Sequence, residues 1–301
     1  MSETGSERLG WLGTGRMGVA MVERLLAGQS DVTVWNRTRA KCEPLEANGA
    51  EVADSISELA SADVVFVMVS TSADLLQVTT GEGGLLRSDN LPSVIIDCST
   101  VSAEASATVR AEADALGVQF LAAPISGNPH MVTDGGAAIV ASGPADTFAR
   151  VRPYLQLIAP TVVHAGPAEE SRLVKLCHNL LLGMITQALV EVTALAEKGG
   201  VENRAFIDFI NGSVLGSTFI RHKGQAIVDR NYTPTFNQKM LRKDYDLGLG
   251  AARNLEVPMP VAAVVHHLIQ TAIGHGLGEQ DYVSLYEVEA RAAGLTRPEE
   301  Q

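Results

Sequence analysis

The sequence predicts an α/β domain over residues 1–167, built on a mostly parallel, doubly wound sheet. An all-helical domain follows over 168–301, and a long helix over about 170–198 joins the two. Three observations carry that prediction. Short apolar runs alternate with helical stretches up to about residue 165. A glycine-rich turn, Gly13-Thr14-Gly15-Arg16-Met17-Gly18, separates the first apolar run from the first helical pattern. Beyond Gly166-Pro167 helical periodicity continues and no strand pattern returns.

The elements follow in order. Leu9, Trp11 and Leu12 form the first strand, and Met17, Met21, Val22, Leu25 and Leu26 the apolar stripe of the first helix. A G-x-G-x-x-G between a strand and a helix is a dinucleotide-binding turn. Gly13 makes the tight bend, Gly15 lets a pyrophosphate approach the backbone, and Gly18 lets helix and strand pack closely. The N–H groups at the helix N-terminus then face the phosphates. Asp31–Trp35 reads as a second strand ending in Asn36-Arg37-Thr38, about 20 residues past the glycines, where NAD-preferring sites carry Asp or Glu. Here that acid is missing and Arg37 stands beside the place, suited to the 2′-phosphate of NADP. One hydrogen bond to a charged group contributes about 1.5–3 kcal/mol. NADP(H) is therefore the expected cofactor, with NAD(H) possible.

Val64–Val69, Val94–Asp97, Phe120–Ala123 and Ala137–Ser142 are further apolar strands. Continuous apolar runs mean burial on both faces, as in sheets covered by helices on each side. In such a Rossmann-type sheet, ligands lie beyond the carboxyl ends of the strands. That places Val69, Ser70, Thr71 and Thr100 against a cofactor. The segment Glu170–Lys198 is helical, stopped by Gly199-Gly200, and about 40 Å long. Its apolar residues occur nearly all round, which predicts burial on most sides and a role as interdomain spine and subunit interface, in a homodimer or homotetramer. Further helices are expected at about 203–211, 217–229, 237–254, 258–275 and 279–293.

Composition narrows the function. The chain has 301 residues, 46% hydrophobic and 19% charged, with a formal net charge of −12. A phosphate backbone would be repelled, so no nucleic-acid partner is expected. Met1–Glu7 is polar, unlike a signal peptide. The longest apolar stretch, within 176–190, is interrupted by His178, Asn179, Thr186 and Gln187, so no membrane span is expected. Cys42, Cys98 and Cys177 form no C-x-x-C and pair with no base, which fits inert thiols in a reducing cytoplasm. The histidines show no ligand spacing, and no metal is expected; the adjacent His266 and His267 read as surface or packing residues.

Two polar groups stand out. Lys175 and Asn179 are four apart on the long helix and share a face. Ser126-Gly127-Asn128 is a polar turn after Pro124. Taken alone, each also fits a solvated face or an ordinary turn.

The chain resembles the β-hydroxyacid dehydrogenases, the family that includes 3-hydroxyisobutyrate dehydrogenase, tartronate semialdehyde reductase and glyoxylate/succinic semialdehyde reductases. The resemblance spans nearly the whole chain. It rests on Leu12–Gly18, Asp97-Cys98-Ser99-Thr100, Ala123-Pro124-Ile125-Ser126-Gly127, Lys175-Leu176-Cys177-His178-Asn179, and Phe236 with Lys243-Asp244, in that order. The resemblance implies that Lys175 is the general acid/base for a small β-hydroxy acid or its aldehyde, and that Asn179 holds the substrate. A lysine free in water has a pKa of about 10.4, so work near neutrality asks that its ammonium be disfavoured by about 4 kcal/mol. The resemblance also implies that Ser126, Gly127 and Asn128 bind the substrate carboxylate and that Thr100 lies between nicotinamide and substrate. Lys243 would lie over the cofactor, with Phe236 and Asp244 completing the pocket.

There are departures. Asn128-Pro129-His130 replaces the family's second glycine, which puts the usual substrates in doubt. His178 resembles the 6-phosphogluconate enzymes, but the helical region is too short for their substrate domain. Arg221, His222 and Lys223 could meet a second anionic group or form a solvated face. Two other readings stay open: an imine reductase-like enzyme, although those usually carry Asp or Tyr at the Lys175 position, and a non-catalytic dinucleotide-binding scaffold.

Overall fold

The structure, a computed structural model, describes residues 7–295. Within the first unit the chain runs through β1 (Leu9–Leu12), α1 (Arg16–Ala27), β2 (Val32–Trp35), α2 (Glu43–Ala47), β3 (Glu51–Val52), α3 (Ile56–Leu59) and β4 (Val64–Val67). It continues with α4 (Ser72–Thr79), β5 (Val94–Asp97), α5 (Ala103–Ala115), β6 (Gln119–Ala122), β7 (Ile125–Ser126), α6 (Pro129–Thr133), β8 (Ala138–Ser142), α7 (Ala145–Ile158) and β9 (Thr161–Gly166). Then come α8 (Glu170–Lys198), α9 (Asn203–Gly212), α10 (Thr218–Val228), α11 (Gln238–Asn254), α12 (Pro260–Ala272) and α13 (Leu285–Ala292). The chain divides into two compact units at Lys175/Leu176, inside α8.

In the first unit the sheet order is β3-β2-β1-β4-β5-β6-β8-β7, with β9 beside β8. Strands β1 to β6 pair in parallel. β6 and β7 are successive pieces of chain running antiparallel along β8, and β9 pairs with β8 in parallel. The sheet is thus mostly parallel and doubly wound, as expected. The direction of winding reverses between β1 and β4, where such sheets bind ligands.

Side chains alternate between the faces of the sheet with period two. Leu9, Trp11, Val64, Phe66, Val94 and Ile96 pack with α1 and α7 residues such as Met21, Leu25, Val151 and Leu155. Leu12, Val65, Val67 and Ile95 pack on the other side with Leu59, Leu75, Val109 and Ala113. Both faces are covered, which is why these strands read as unbroken apolar runs. Strands β3, β7 and β9 were not predicted. β3 and β7 have two residues each, and β9 lies at an edge with Thr161 and Val163 exposed, so neither gives a continuous apolar signal.

Among its described residues the second unit has helices and no strand, packed around Leu180, Leu189, Val190, Ile207, Ile227, Leu241, Tyr245, Val265, Ile269 and Tyr286. α8 ends as expected. Gly200 takes φ +88°, and the Val201 N–H bonds to the Ala196 carbonyl at 3.0 Å, a glycine-terminated helix end.

Three expectations need correcting. Within the single chain α8 is not buried on most sides: Leu173, Val174, Leu181, Ile185, Val192 and Leu195 are exposed. By length and composition it could also cross a membrane, but half of its most apolar window is buried inside the protein, as in a core helix. The helix expected over 279–293 starts only at Leu285. Gln280 accepts from the Gln238 N–H, and the Asp281 N–H donates to the Tyr232 carbonyl at 2.9 Å, so this segment is stitched to a loop instead of winding. Likewise α12 stops at Ala272, and a wider turn over Ile273–Leu277 follows, broken by Gly276 at φ +84°.

Candidate functional site

In the first unit the three glycines of the turn meet different surroundings. Gly13 has φ +101°, and a Cβ there would stand 2.2 Å from the Met68 carbonyl oxygen. A Cβ on Gly18 would stand 2.0 Å from the Gly13 carbonyl oxygen. Only glycine fits either place. At Gly15 a Cβ would meet nothing within 4 Å. Gly15 is also the N-cap of α1 and makes no side-chain cap, and the first turn of the helix contains no acidic residue. An open approach, a bare helix N-terminus and a positive end of the helix dipole suit a diphosphate.

The turn is braced from behind. Trp11 Nε1 donates to the Gly13 carbonyl at 3.0 Å, and its ring stacks on Phe66. The Thr14 N–H donates to Asn36 Oδ1 at 3.1 Å, while Asn36 Nδ2 donates to the Thr38 carbonyl at 3.0 Å. Asn36 thus ties the glycine turn to the end of β2. Arg37 and Thr38 are exposed there, whereas Arg39 is held by Asp54 at 2.8 Å. A cleft of about 520 Å³ adjoins the turn, lined by Thr14, Gly15, Arg16, Val19, Lys41, Pro44, Pro129 and His130. Lys41 is not among the residues the sequence singles out; its signal is a run of alternating basic residues, Arg37, Arg39 and Lys41, of which Arg39 is taken by Asp54. His130, weighed as a substrate-pocket residue, lines this cleft.

Other expected residues lie at the carboxyl ends of the strands. The Val69 N–H donates to Ser99 Oγ at 2.9 Å. Thr71 caps α4, its hydroxyl accepting from the Asp74 N–H at 3.0 Å; Ser70 beside it is exposed. Ser126 closes β7 opposite Ala138, Gly127 follows at φ +132°, and Asn128 Oδ1 caps α6 by accepting from the Met131 N–H at 2.9 Å. The Asn128 oxygen is therefore committed to its helix. Thr100 stands three residues past the end of β5 and is half-buried. Lys175, the last residue of this unit, is buried.

In the second unit Asn179 is buried and oriented at both ends of its amide. Nδ2 donates to Asp244 Oδ2 at 2.5 Å, and Oδ1 lies 2.9 Å from His178 Nδ1. The other oxygen of the buried Asp244 pairs with Lys243 Nζ at 3.2 Å. The sequence grouped these residues from positions more than sixty apart, and the fold brings them together. α8 and α11 approach closely because Gly183 and Gly248 leave room: a Cβ at Gly183 would hit the Tyr245 hydroxyl at 2.3 Å, and one at Gly248 the Leu180 side chain at 2.8 Å. Burial pushes the Tyr245 phenol well above its ordinary pKa, so it stays neutral and donates to the Leu180 carbonyl at 2.7 Å. Phe236 packs edge-on to Tyr282.

Lys223 is not a solvated cation. It pairs with Asp281 at 2.8 and 2.9 Å and lies over the Tyr282 ring. Asp281 also accepts from the Thr235 N–H and hydroxyl, so this cluster clips the loop before α11 to the segment before α13. Arg221 and His222 are exposed. His266 bonds Asp246 at 2.7 Å and stacks on Tyr245, a packing role as expected. Cys42 and Cys98 are buried, and Cys177 is exposed.

Residues 8–166 match a family model described as the NAD binding domain of 6-phosphogluconate dehydrogenase. Residues 170–288 match one described as NAD-binding of NADP-dependent 3-hydroxyisobutyrate dehydrogenase. Glyoxylate/succinic semialdehyde reductase 1 of Arabidopsis thaliana is 31% identical over 280 residues, covering 93% of this chain and 97% of that protein. The chain belongs to the β-hydroxyacid dehydrogenase family. As a β-hydroxyacid dehydrogenase it is an oxidoreductase that uses a nicotinamide dinucleotide. The chloroplastic glyoxylate/succinic semialdehyde reductase 2 of the same plant is 28% identical, covering 95% of this chain and 80% of its own. A solved 3-hydroxyisobutyrate dehydrogenase from Salmonella typhimurium superposes with a TM-score of 0.84 at 26% identity, covering 94% of this chain and 99% of that one. The bare α1 terminus and the open face of Gly15 fit the cofactor that membership implies.

Proposed function

We propose that this β-hydroxyacid dehydrogenase prefers NADP(H) and interconverts a small β-hydroxy acid with its aldehyde or keto form, with Lys175 as the general acid/base. The observation that carries the reading is the pair on α8. Lys175 stands one turn before Asn179, and the Asn179 amide is locked in direction by Asp244 and His178. A buried lysine beside an oriented amide is a proton donor and acceptor with a fixed oxygen ligand next to it. The reductase names of the plant relatives support aldehyde acids as the substrate class.

When bound, the cofactor supplies or accepts the hydride. In reduction Lys175 gives its proton to the substrate carbonyl oxygen; in oxidation it takes the proton from the hydroxyl. The second N–H of the Asn179 amide holds that oxygen. Ser126 with the Gly127 and Asn128 backbone holds the carboxylate, and Thr100 lines the reacting centre. Lys243 lies over the cofactor, with Phe236 and Asp244 on the substrate side. Gly13 to Gly18 hold the diphosphate, and Val69, Ser70 and Thr71 flank the cofactor. Arg37, with Asn36 and Thr38, reads the 2′-phosphate, a reading supported by the missing acid and the exposure of Arg37. The exposed apolar side chains of α8 favour a homodimer or homotetramer, and the composition a cytoplasmic enzyme.

The test is NADPH oxidation, followed at the nicotinamide absorbance, against glyoxylate, succinic semialdehyde, tartronate semialdehyde and methylmalonate semialdehyde. A substrate is expected to turn over, and Lys175→Ala to abolish turnover with NADPH binding intact. Retained turnover in that variant removes Lys175 from the chemistry.

A further inference from the structure

The first turn of α8 carries a buried ion pair that the proposed reaction does not use. The Arg172 side chain is 1% exposed and that of Asp97, the last residue of β5, 0%. The guanidinium pairs with Asp97 through Nη2. Nη1 donates to the Ser99 carbonyl at 2.6 Å, and Nε donates to Ser106 Oγ on α5 at 3.1 Å. The second Asp97 oxygen accepts from the Ser99 N–H at 3.0 Å, and Ser99 Oγ accepts from the Val69 N–H. One side chain thus ties α8 to β5, to α5 and to the loop that carries Thr100. Ser99 is held at its N–H, its carbonyl and its hydroxyl. Next along the helix, Ser171 donates to the Ala122 carbonyl at 3.1 Å and shares a hydrogen bond with Ser142.

A buried ion pair is an expensive way to hold a helix on a sheet. Apolar residues of similar volume hold as well or better. What the fork of a guanidinium supplies, and Leu or Met does not, is direction. Arg172 and Lys175 are three apart on α8, so the face that Arg172 pins to the 97–100 loop is the face that bears Lys175.

We propose that Arg172 is a positioning residue: by locking the first turn of α8 to Asp97 and to the Ser99 carbonyl, it sets where the Lys175 amine stands against the loop bearing Thr100. This rests on the assignment of Lys175 as general acid/base. Asp97 and Ser99 are the fixed half of the device, and Arg172 is the half that carries the helix. A shift of about 1 Å in a reacting group costs about 100-fold in rate.

The experiment compares the full-length wild type with Arg172→Lys, the volume-matched double variant Asp97→Leu/Arg172→Met, and Lys175→Ala. The double variant leaves no buried charge unpaired, so it folds where Arg172→Ala could fail. Measured are the melting temperature, the NADPH dissociation constant, kcat, KM, and the deuterium isotope effect with NADPH labelled at the transferred position. Expected for the double variant are a cooperative melt below the wild-type temperature, because buried Ser99 and Ser106 lose partners, a wild-type NADPH affinity, a kcat lowered about 100-fold, and a larger isotope effect as chemistry limits turnover. Arg172→Lys keeps the charge on Asp97 but cannot reach Ser99 and Ser106 together, so its kcat falls between the two. A folded double variant with unchanged kcat overturns the proposal. So does a kcat that falls only in step with melting temperature and NADPH affinity, which is a structural role. If Lys175→Ala is inactive while the Arg172 variants are unaffected, only this proposal fails. If Lys175→Ala still turns over, the assignment of Lys175 falls and this proposal with it.

Discussion

Alanine at Gly15 separates folding from cofactor binding. Gly15 has φ −70° and ψ −179°, backbone that any residue adopts, and its Cβ would meet nothing within 4 Å. The free protein therefore loses nothing, and a stiffer unfolded chain adds about 0.4–1 kcal/mol of stability. Gly18→Ala is the control: its Cβ would stand 2.0 Å from a backbone oxygen, so α1 must leave the turn and the melting temperature falls. With cofactor the order changes. The methyl of Gly15→Ala occupies the approach to the bare N–H groups of α1. Losing one charged hydrogen bond there costs about 1.5–3 kcal/mol, which is about tenfold to about 150-fold in affinity. Thermal unfolding of the free protein and fluorescence titration with NADPH measure the two effects. Wild-type NADPH affinity in Gly15→Ala refutes the reading of that space as the diphosphate's. A melting temperature as low as that of Gly18→Ala refutes the clearance argument.

Other outcomes follow from particular contacts. Arg37→Ala is expected to weaken NADPH by about tenfold or more with NADH little changed; equal losses show that Arg37 does not read the 2′-phosphate. Lys223→Ala leaves buried Asp281 without its cation and lowers stability by about 3 kcal/mol, read by denaturant unfolding; an unchanged midpoint shows the clip to be slack. Tyr245 has its proton held more tightly in the folded state than in the unfolded one, because burial disfavours the phenolate. Its contribution is complete below about pH 10 and is lost as pH rises above it. Tyr245→Phe should flatten the fall in unfolding free energy between neutral pH and the alkaline range; an identical alkaline slope places the loss elsewhere.

Much of the first unit was legible because its signals are local. Gly13, Gly15 and Gly18 lie within one turn, and the strands that were found are buried on both faces, so no polar alternation hides them. The edge strand β9 was lost for the opposite reason: Thr161 and Val163 face outward. The helix ends near Gln280 and Ala272 were misplaced because tertiary hydrogen bonds and a positive-φ glycine override helical periodicity there. Among the candidate site residues, Lys175 and Asn179 were visible as two polar residues four apart on an apolar helix. The commitment of the Asn128 oxygen to capping α6, and the place of His130 beside the glycine turn, were not visible, because both depend on where α6 packs.

The sequence by itself determined the alternation of strands and helices, the glycine turn and the long helix, because each is encoded by a local pattern of residues. Only the tertiary structure decided which charges are paired. Arg172 finds Asp97 seventy-five positions away, and Lys223 finds Asp281 across fifty-eight. A lone charge in a sequence is indistinguishable from a solvated one until folding removes its water, and only then must it have a partner.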